Sequence, residues 1–257
     1  MSGRAETGEP QLRISVVVPS WRDSDNLAVL LPSLMRIASV TETIVVDASE
    51  EDDSAQEIAQ QCSATFLKTP IPNRGAQMNA GAALASGDVV IFQHADAELT
   101  NAHLAALAAA LSDPAVIGGA FHRKFDERHP RLRWLEKAAR FLARNGGAFY
   151  GDQSIFVRRD VFLRLRGFAQ IPLMEDMEFS RRLRAAGKTV VLDPPVRSSA
   201  RRHEREGPWK TSLQNGLFIL LYNCGVSPVT LHHWYYKQKS VAGSEQPRDV
   251  SPPELSP

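Results

Sequence analysis

Two unbroken β-branched runs, Ile14 to Pro19 (ISVVVP) and Ile44 to Ala48 (IVVDA), constrain this chain more than any other feature of its sequence. A strand with one wet face alternates apolar with polar residues, whereas a run without that alternation is buried on both faces, as in a parallel sheet covered by helices. Between the runs, Leu27, Leu30, Leu31, Leu34 and Met35 recur at helical spacing, opened by Ser24 or Asp25 as a cap, so the pattern is a βαβ unit. The alternation continues. A helix with Ile58, Ala59 and Cys62 inward leads to a strand Thr65 to Lys68, and a helix Arg74 to Ala85 leads to a strand Asp88 to Gln93. With right-handed crossovers, this predicts a mostly parallel α/β sheet.

The second half is more mixed. It reads as a helix Ala102 to Leu111, a strand Ala115 to Arg123, a helix Arg131 to Ala143 and a short strand Ser154 to Val157. A helix Asp176 to Ala186 ending at Gly187, a strand Thr189 to Leu192 and two helices starting near Pro208 and Pro228 follow. Residues 1–11 and 241–257 are polar and read as disordered tails around one folded unit over 12–240. The 257 residues, 43% hydrophobic and 23% charged, suit one sizeable α/β domain. A net charge of +1 creates no field to gather nucleic acid, although Arg is dense between Arg158 and Arg205, which suits a phosphorylated ligand. Cys62 and Cys224 have no CxxC or CxxH neighbourhood, so neither a disulfide framework nor a zinc site is expected. The opening MSGRAETGEPQLR has no apolar h-region, and no run of about 18 apolar residues occurs. The expectation is a cytoplasmic protein without an integral membrane segment. Peripheral contact with the inner face of the membrane and the oligomeric state stay open.

Ligands of open α/β sheets bind at the carboxyl ends of the strands, which is where this chain places its chemistry. The segment IFQHAD runs from a strand into His94-Ala95-Asp96, a His and an Asp that can share one hard cation and so neutralise a diphosphate. An ordinary Asp-containing turn is the plainer alternative. Asp47 ends the second strand, and Asp23 follows Pro19-Ser20-Trp21-Arg22 after the first. Either carboxylate can accept from a uracil-type N–H or a ribose hydroxyl, or simply cap a helix. In NRGAQMNAG, Arg74 and Gly75 open a helix, with Asn79 and Gly81 further along. That combination favours phosphate and close approach by a nucleotide, or else forms a small-residue packing face. Neither GxGxxG nor GxxxxGK[ST] is present. Glu175-Asp176, ahead of the amphipathic Phe179 to Leu183 segment, can supply a general base or only complement a helix dipole. Arg197, Arg201, Arg202 and His203 can hold a departing phosphate or an acceptor anion, or belong to a solvated edge strand. His122, His129, His232 and His233 lack metal-ligand spacing. The stripe Trp209, Leu213, Leu217, Leu220 and Leu221 reads as core or dimer contact rather than membrane anchor.

Taken in order, these motifs resemble glycosyltransferase family 2, the inverting transferases of the GT-A fold. The resemblance rests on Pro19-Ser20-Trp21-Arg22-Asp23 for the P-[ST]-x-N-E turn, Asp47 for the nucleotide-contacting Asp, and Asn73 to Gly81 for the N-x-G helix. His94-Ala95-Asp96 matches the metal-binding D-x-D, and Glu175-Asp176 the later E-D pair. Together with YGDQ (Tyr150 to Gln153), MEDMEFSRRL and SARR, the strings look most like a compact bacterial subgroup labelled arsenosugar-biosynthesis-type glycosyltransferases. The resemblance implies single-sugar transfer from a nucleotide-sugar, with UDP as the favoured carrier, to an unknown acceptor hydroxyl. It implies Asp176 as base with Glu175 in support, and Mg²⁺ or Mn²⁺ held by Asp96 and His94. Pro19, Ser20, Asp23, Asp47, Arg74, Asn79 and Asp96 fall on the donor side, and Gln153, Arg201, Arg202 and His203 on the acceptor or phosphate side. Two departures stand out: His94 replaces the first Asp of D-x-D, and Asp23 replaces a Glu. No Q-x-x-R-W follows the E-D pair, as it would in a processive synthase. The rival readings are a nucleotide-sugar-binding regulator without turnover, a sugar nucleotidyltransferase, and a membrane-surface scaffold.

Overall fold

The structure, a computed structural model, describes residues 12–50, 54–124, 146–197 and 208–241, and within the last stretch it describes side chains over 216–235. In chain order the elements are β1 (Ile14–Ser20), α1 (Ser24–Met35), β2 (Val40–Asp47), α2 (Ala55–Gln61), β3 (Thr65–Lys68), α3 (Arg74–Leu84), β4 (Val89–Phe92), α4 (Asn101–Leu111) and β5 (Val116–Lys124). After them come a 3-10 turn (Gly151–Gln153), β6 (Ile155–Arg158), α5 (Arg159–Arg164), α6 (Glu175–Ala186), β7 (Lys188–Arg197), α7 (Pro208–Asn223) and α8 (Pro228–Val241). The strands form one sheet in the order β3-β2-β1-β4-β6-β5-β7. The first four are mutually parallel, β6 runs antiparallel to both β4 and β5, and β7 is parallel to β5. The expected mostly parallel sheet with a mixed second half is therefore observed.

Alternate residues of each central strand feed two cores. On one face Val16, Val18 and Ile91 meet Leu27, Leu30, Leu31 and Leu34 of α1 together with Leu104 and Leu107 of α4. On the other, Val17, Val46 and Phe92 meet Met78 and Ala82 of α3, Phe162 of α5 and Phe179 of α6. The chain reverses its order of strand addition between β1 and β4, so a crevice opens at their carboxyl ends. Among the described residues no helix is long and apolar enough to cross a membrane.

Several elements differ from expectation for local reasons. α1 is entered through Asp23 rather than Ser24 or Asp25: the Asp23 carbonyl accepts from Asn26 N and Leu27 N at 3.0 Å, while its carboxylate accepts from Asn26 Nδ2 at 2.7 Å. Met35 is exposed, because it stands about 80° round the helix from Leu27. β2 starts four residues earlier than its apolar run, and Thr43 and Glu42 pair beside Val16 and Ser15. β7 continues past Leu192 through Asp193-Pro194-Pro195, which is tolerated because it lies at the sheet edge. α5, six residues long, is too short to leave a helical period in the sequence. In α7 the buried aromatic is Phe218, packed edge-on against Tyr235, while Leu217 and Leu220 of the expected stripe are exposed. The expected helix Arg131 to Ala143, both tails except Val241, which ends α8, His129, and the side chains of Trp209 and Leu213 lie outside the described residues.

α3 lies unusually close to the sheet. A Cβ on Gly81 would stand 2.4 Å from Val17 Cγ1 and 3.0 Å from Val46 Cγ2, both rigid core methyls. Gly81→Ala is therefore expected to overpack this contact and cost about 1–3 kcal/mol. Urea unfolding measures it, and a midpoint equal to wild type would show that the helix can retreat without cost.

Candidate active site

The crevice is framed by side chains that tie strand ends together. Asp47, at the end of β2, is wholly buried, and its carboxylate accepts from Ser49 N at 2.9 Å, Ser49 Oγ at 2.7 Å and Lys68 Nζ at 2.9 Å. Ser49 Oγ in turn accepts from Arg22 N at 2.6 Å, which draws the loop after β1 onto the loop after β2. Gln77 of α3 donates to the carbonyls of Ser20 at 2.7 Å and Val46 at 2.9 Å, fixing the helix over both strand ends. Ser20 is buried here, with Pro19 and Asp23 half-buried on the same edge.

At the end of β4 the fully buried Gln93 braces the turn that carries His94 and Asp96. Its Nε2 donates to Ala97 O at 2.7 Å, and its Oε1 accepts from Ser154 Oγ at 2.6 Å. His94 Nδ1 stands 4.0 Å from Asp96 Oδ1, and His94 Nε2 lies 3.2 Å from Arg74 Nη1. A guanidinium only donates, so within this contact Nε2 can serve only as the acceptor. Arg74, the first residue of α3, also places Nε 3.5 Å from Glu175 Oε1. Thus one cation joins the β4 turn to the start of α6.

Glu175 and Asp176 occupy the first turn of α6, entered from Met174 in the left-handed region at φ 70°. Rings of Phe92, Phe162, Phe168 and Phe179 pack at centroid distances of 4.5–5.6 Å and hold α6 against the sheet. Asp176 Oδ2 accepts from Gly151 N at 2.7 Å, and Oδ1 from Met177 N at 2.7 Å. Burial first, and then the neighbouring Glu175 carboxylate, push Asp176 up to about 7, against the opposing pull of Arg74 and the two backbone N–H groups. Asp152 behaves oppositely. Burial would raise it, but Arg123, with which it forms an ion pair, and the nearby Arg74 hold it below the ordinary carboxylate range. Tyr150 is pushed up by burial and by the Asp176 and Asp152 charges. From α7, Tyr222 packs against Arg181 at 5.0 Å and is raised mainly by burial.

Some residues expected at the site do other work. Asn79 spends both ends of its amide on the backbone of Phe168, donating at 2.8 Å to its carbonyl and accepting at 2.8 Å from its N–H, so it clamps α3 to the segment before α6. A Cβ on Gly75 would meet Ala169 O at 2.7 Å, and one on Gly81 would meet Val17 Cγ1 at 2.4 Å, so the two glycines let α3 pack closely on different sides. Gln153 is buried and its Oε1 accepts from Tyr150 N at 2.8 Å, bracing the turn, whereas its neighbour Asp152 carries the charge of the site. Arg197 is exposed at the end of β7, and Arg201, Arg202 and His203 lie outside the described residues. His122 is buried, His232 half-buried and His233 exposed, with the His232 and His233 rings 6.2 Å apart and His233 Nδ1 2.9 Å from Val229 O. Missed in the sequence were Ser49, Lys68, Gln77, Gln93, Arg123 and Asp152. Asp152 stood inside the YGDQ string, but its partner Arg123 is 29 residues away, a separation that leaves no local signal.

A divalent ion fits this residue set only in part. Two atoms each about 2.1 Å from one ion stand between about 3 and 4 Å apart, and the 4.0 Å between His94 and Asp96 falls at the upper end. Among the described residues no group of three or more His, Cys, Asp or Glu side chains converges on a point. An ion here must therefore take its remaining ligands from phosphate and water, as Mg²⁺ commonly does.

A sequence model described as Glycosyl transferase family 2 matches residues 15–166. The curated 4,4'-diaponeurosporenoate glycosyltransferase of Staphylococcus haemolyticus (strain JCSC1435) is 33% identical over 103 residues, covering 37% of this chain and 27% of that relative. The chain thus matches about a quarter of that relative's length. Among solved structures, residues 1–349 of S. aureus TarS in complex with UDP-GlcNAc are 18% identical with a TM-score of 0.58, over 73% of this chain and 58% of that one. Glucosyl-3-phosphoglycerate synthase from Mycobacterium tuberculosis, in complex with Mn²⁺, UDP and glucosyl-3-phosphoglycerate, is 19% identical with a TM-score of 0.55, over 84% and 81%. At these identities the likeness to both solved structures is one of fold.

The raised Asp176 couples stability to pH with a definite sign. Its native pKa of about 7 exceeds the ordinary 3.8, so the native state binds the extra proton between those values. The stability this group contributes is complete below about pH 4 and is lost as pH rises through about 7. Asp176→Asn escapes that loss, so its melting temperature relative to wild type should climb from pH 5 to pH 8. A difference that stays flat over this range would mean that Asp176 does not titrate there.

Proposed function

The chain belongs to glycosyl transferase family 2, and from that premise we propose that it moves one sugar from a UDP-sugar to an acceptor hydroxyl with inversion at the anomeric carbon. The observation that carries this reading is Asp176, a carboxylate pushed up to about 7 and aimed by the Gly151 N–H across a turn from His94 and Arg74. A base poised near neutrality is effective in taking a proton from a hydroxyl. The likeness of fold to proteins crystallised with UDP-GlcNAc, or with Mn²⁺ and UDP, supports the choice of donor.

In this mechanism Asp176 takes the acceptor proton as the acceptor oxygen attacks the anomeric carbon on the face opposite the diphosphate. The bond from that carbon to the diphosphate oxygen breaks, and UDP departs with the electron pair. Arg74 meets the charge that develops there, held in place by buried Glu175. A divalent ion, Mg²⁺ or Mn²⁺, on Asp96 and His94 would add Lewis-acid stabilisation of the same leaving group. The nucleoside lies over Pro19, Ser20 and Asp23, where Asp47 acts by fixing Ser49 and Lys68. A regulator without turnover would have no use for a base in this position, and a nucleotidyltransferase would need a Gly-rich basic loop after β1 in place of PSWRDSDN.

Single-turnover transfer from the UDP-sugar that binds best in a thermal-shift panel tests the reading. Asp176→Asn should slow transfer by about 10²–10⁴-fold with UDP affinity unchanged. Glu175→Gln should slow it less. Wild-type rates in Asp176→Asn, or greater loss in Glu175→Gln, would remove Asp176 from the role of base. For the donor side, Asp96→Ala is expected to abolish the gain in UDP affinity produced by Mn²⁺, measured by calorimetry. A gain that survives the substitution would put the ion on other residues.

A further inference from the structure

The contact between Arg74 and His94 bears on how the protein takes up its ion. Nε2 of His94 is the lone-pair nitrogen only while Arg74 Nη1 donates to it at 3.2 Å. An ion that bound at Nε2 would have to displace the guanidinium. An ion that bound at Nδ1 would force the ring proton onto Nε2, directly against a guanidinium N–H. Both routes to His94 as a ligand therefore require Arg74 to leave. No ion fits between the two groups, since Nη1 stands 3.2 Å from Nε2, an ordinary hydrogen-bond separation.

We propose that Arg74 keeps His94 closed to metal in the free protein and releases it when a diphosphate arrives, so that ion and donor are taken up together. The inference rests on the donor reading above. The exchange is favourable on chemical grounds: a guanidinium binds a charged phosphate oxygen more strongly than a neutral imidazole nitrogen. The Arg74 side chain is 43% exposed, and Glu175, at 3.5 Å from Nε, can act as the pivot while the fork swings. Diphosphate then supplies the ligands that Asp96 and His94 lack, and the same event frees His94 to join them. A consequence is that Mn²⁺ alone binds poorly.

The test titrates Mn²⁺ alone into the full-length chain, read by the loss of its free-ion paramagnetic resonance signal. Arg74→Met should bind Mn²⁺ about tenfold more tightly than wild type, the range set by losing one charge-assisted hydrogen bond. In a His94→Ala background the same substitution should change Mn²⁺ affinity by about twofold at most, which separates release of the ring from simple removal of a positive charge. Arg74→Lys is a second variant, with a charge but without the fork that spans His94 and Glu175, and should fall between wild type and Arg74→Met. Unfolding midpoints confirm that each variant is folded. An unchanged Mn²⁺ affinity in Arg74→Met, or an equal gain in the His94→Ala background, overturns the proposal. UDP is titrated in parallel: wild type that binds UDP but shows no Arg74-dependent gain keeps the donor reading and loses this inference, and wild type that binds neither loses both.

Discussion

Burial of β1 and β4 on both faces is the constraint on which the rest of the structure depends. Neither strand can carry a polar side chain in its interior without a partner, and the buried Ser15 at the amino end of β1 shows how such a group is kept, bonded to Glu42 at 2.6 Å. Polar chemistry is otherwise displaced to the carboxyl ends, where Ser20, Asp47 and Gln93 appear in succession on neighbouring strands. Asp47 and Gln93 are bonded through their side chains and Ser20 through its carbonyl to residues of other elements, so the crevice is built as one hydrogen-bonded rim rather than as separate loops.

Charge around that rim is balanced unevenly. Asp152 and Asp176 sit on either side of Gly151, and burial works against ionisation of both. Arg123 beside Asp152 reverses the effect and keeps it charged, while Glu175 beside Asp176 reinforces it. Two carboxylates two dozen residues apart in sequence thus acquire opposite tendencies from their nearest charged neighbour, which is how one crevice can hold both a fixed anion and a proton acceptor. Arg74 lies between these roles, touching His94 on one side and Glu175 on the other.

Three of the five non-glycine residues with left-handed φ among the described residues border the crevice, the other two being Ser63 and Arg166. Arg22, Ser154 and Met174 all adopt left-handed φ values of 51°, 48° and 70° without being glycine, and each borders the crevice. Such positions cost of order 1–3 kcal/mol and persist only where neighbours over-determine them. Here the neighbours are identifiable: Ser49 Oγ accepts from Arg22 N, Gln93 accepts from the Ser154 hydroxyl, and the Met174 carbonyl accepts from Glu178 N at 3.0 Å. The aromatic packing of Phe92, Phe162, Phe168 and Phe179 behind α6 supplies the rigidity that these turns need.

Much of this protein was legible in its sequence because the relevant forces are periodic or local. Apolar runs and helical stripes depend on near neighbours, and they marked β1, β3, α3 and the helices at Pro208 and Pro228 almost to the residue. The strand-end positions of Asp47, His94 and Asp96 followed from the same periodicity. β7 and α5 were obscured because prolines and shortness erase periodicity, and burial rather than pattern decided them. What the tertiary structure alone decided was the use of each polar group. Asn79 became a clamp and Gln153 a turn brace, Arg74 came to lie on His94, and Arg123 reached Asp152. Sequence sets which side chains reach the crevice edge, since period and strand polarity are properties of a few consecutive residues. Which of them is spent on the fold and which stays available for chemistry depends on hydrogen bonds and charges between residues up to 89 positions apart, and only packing brings those together.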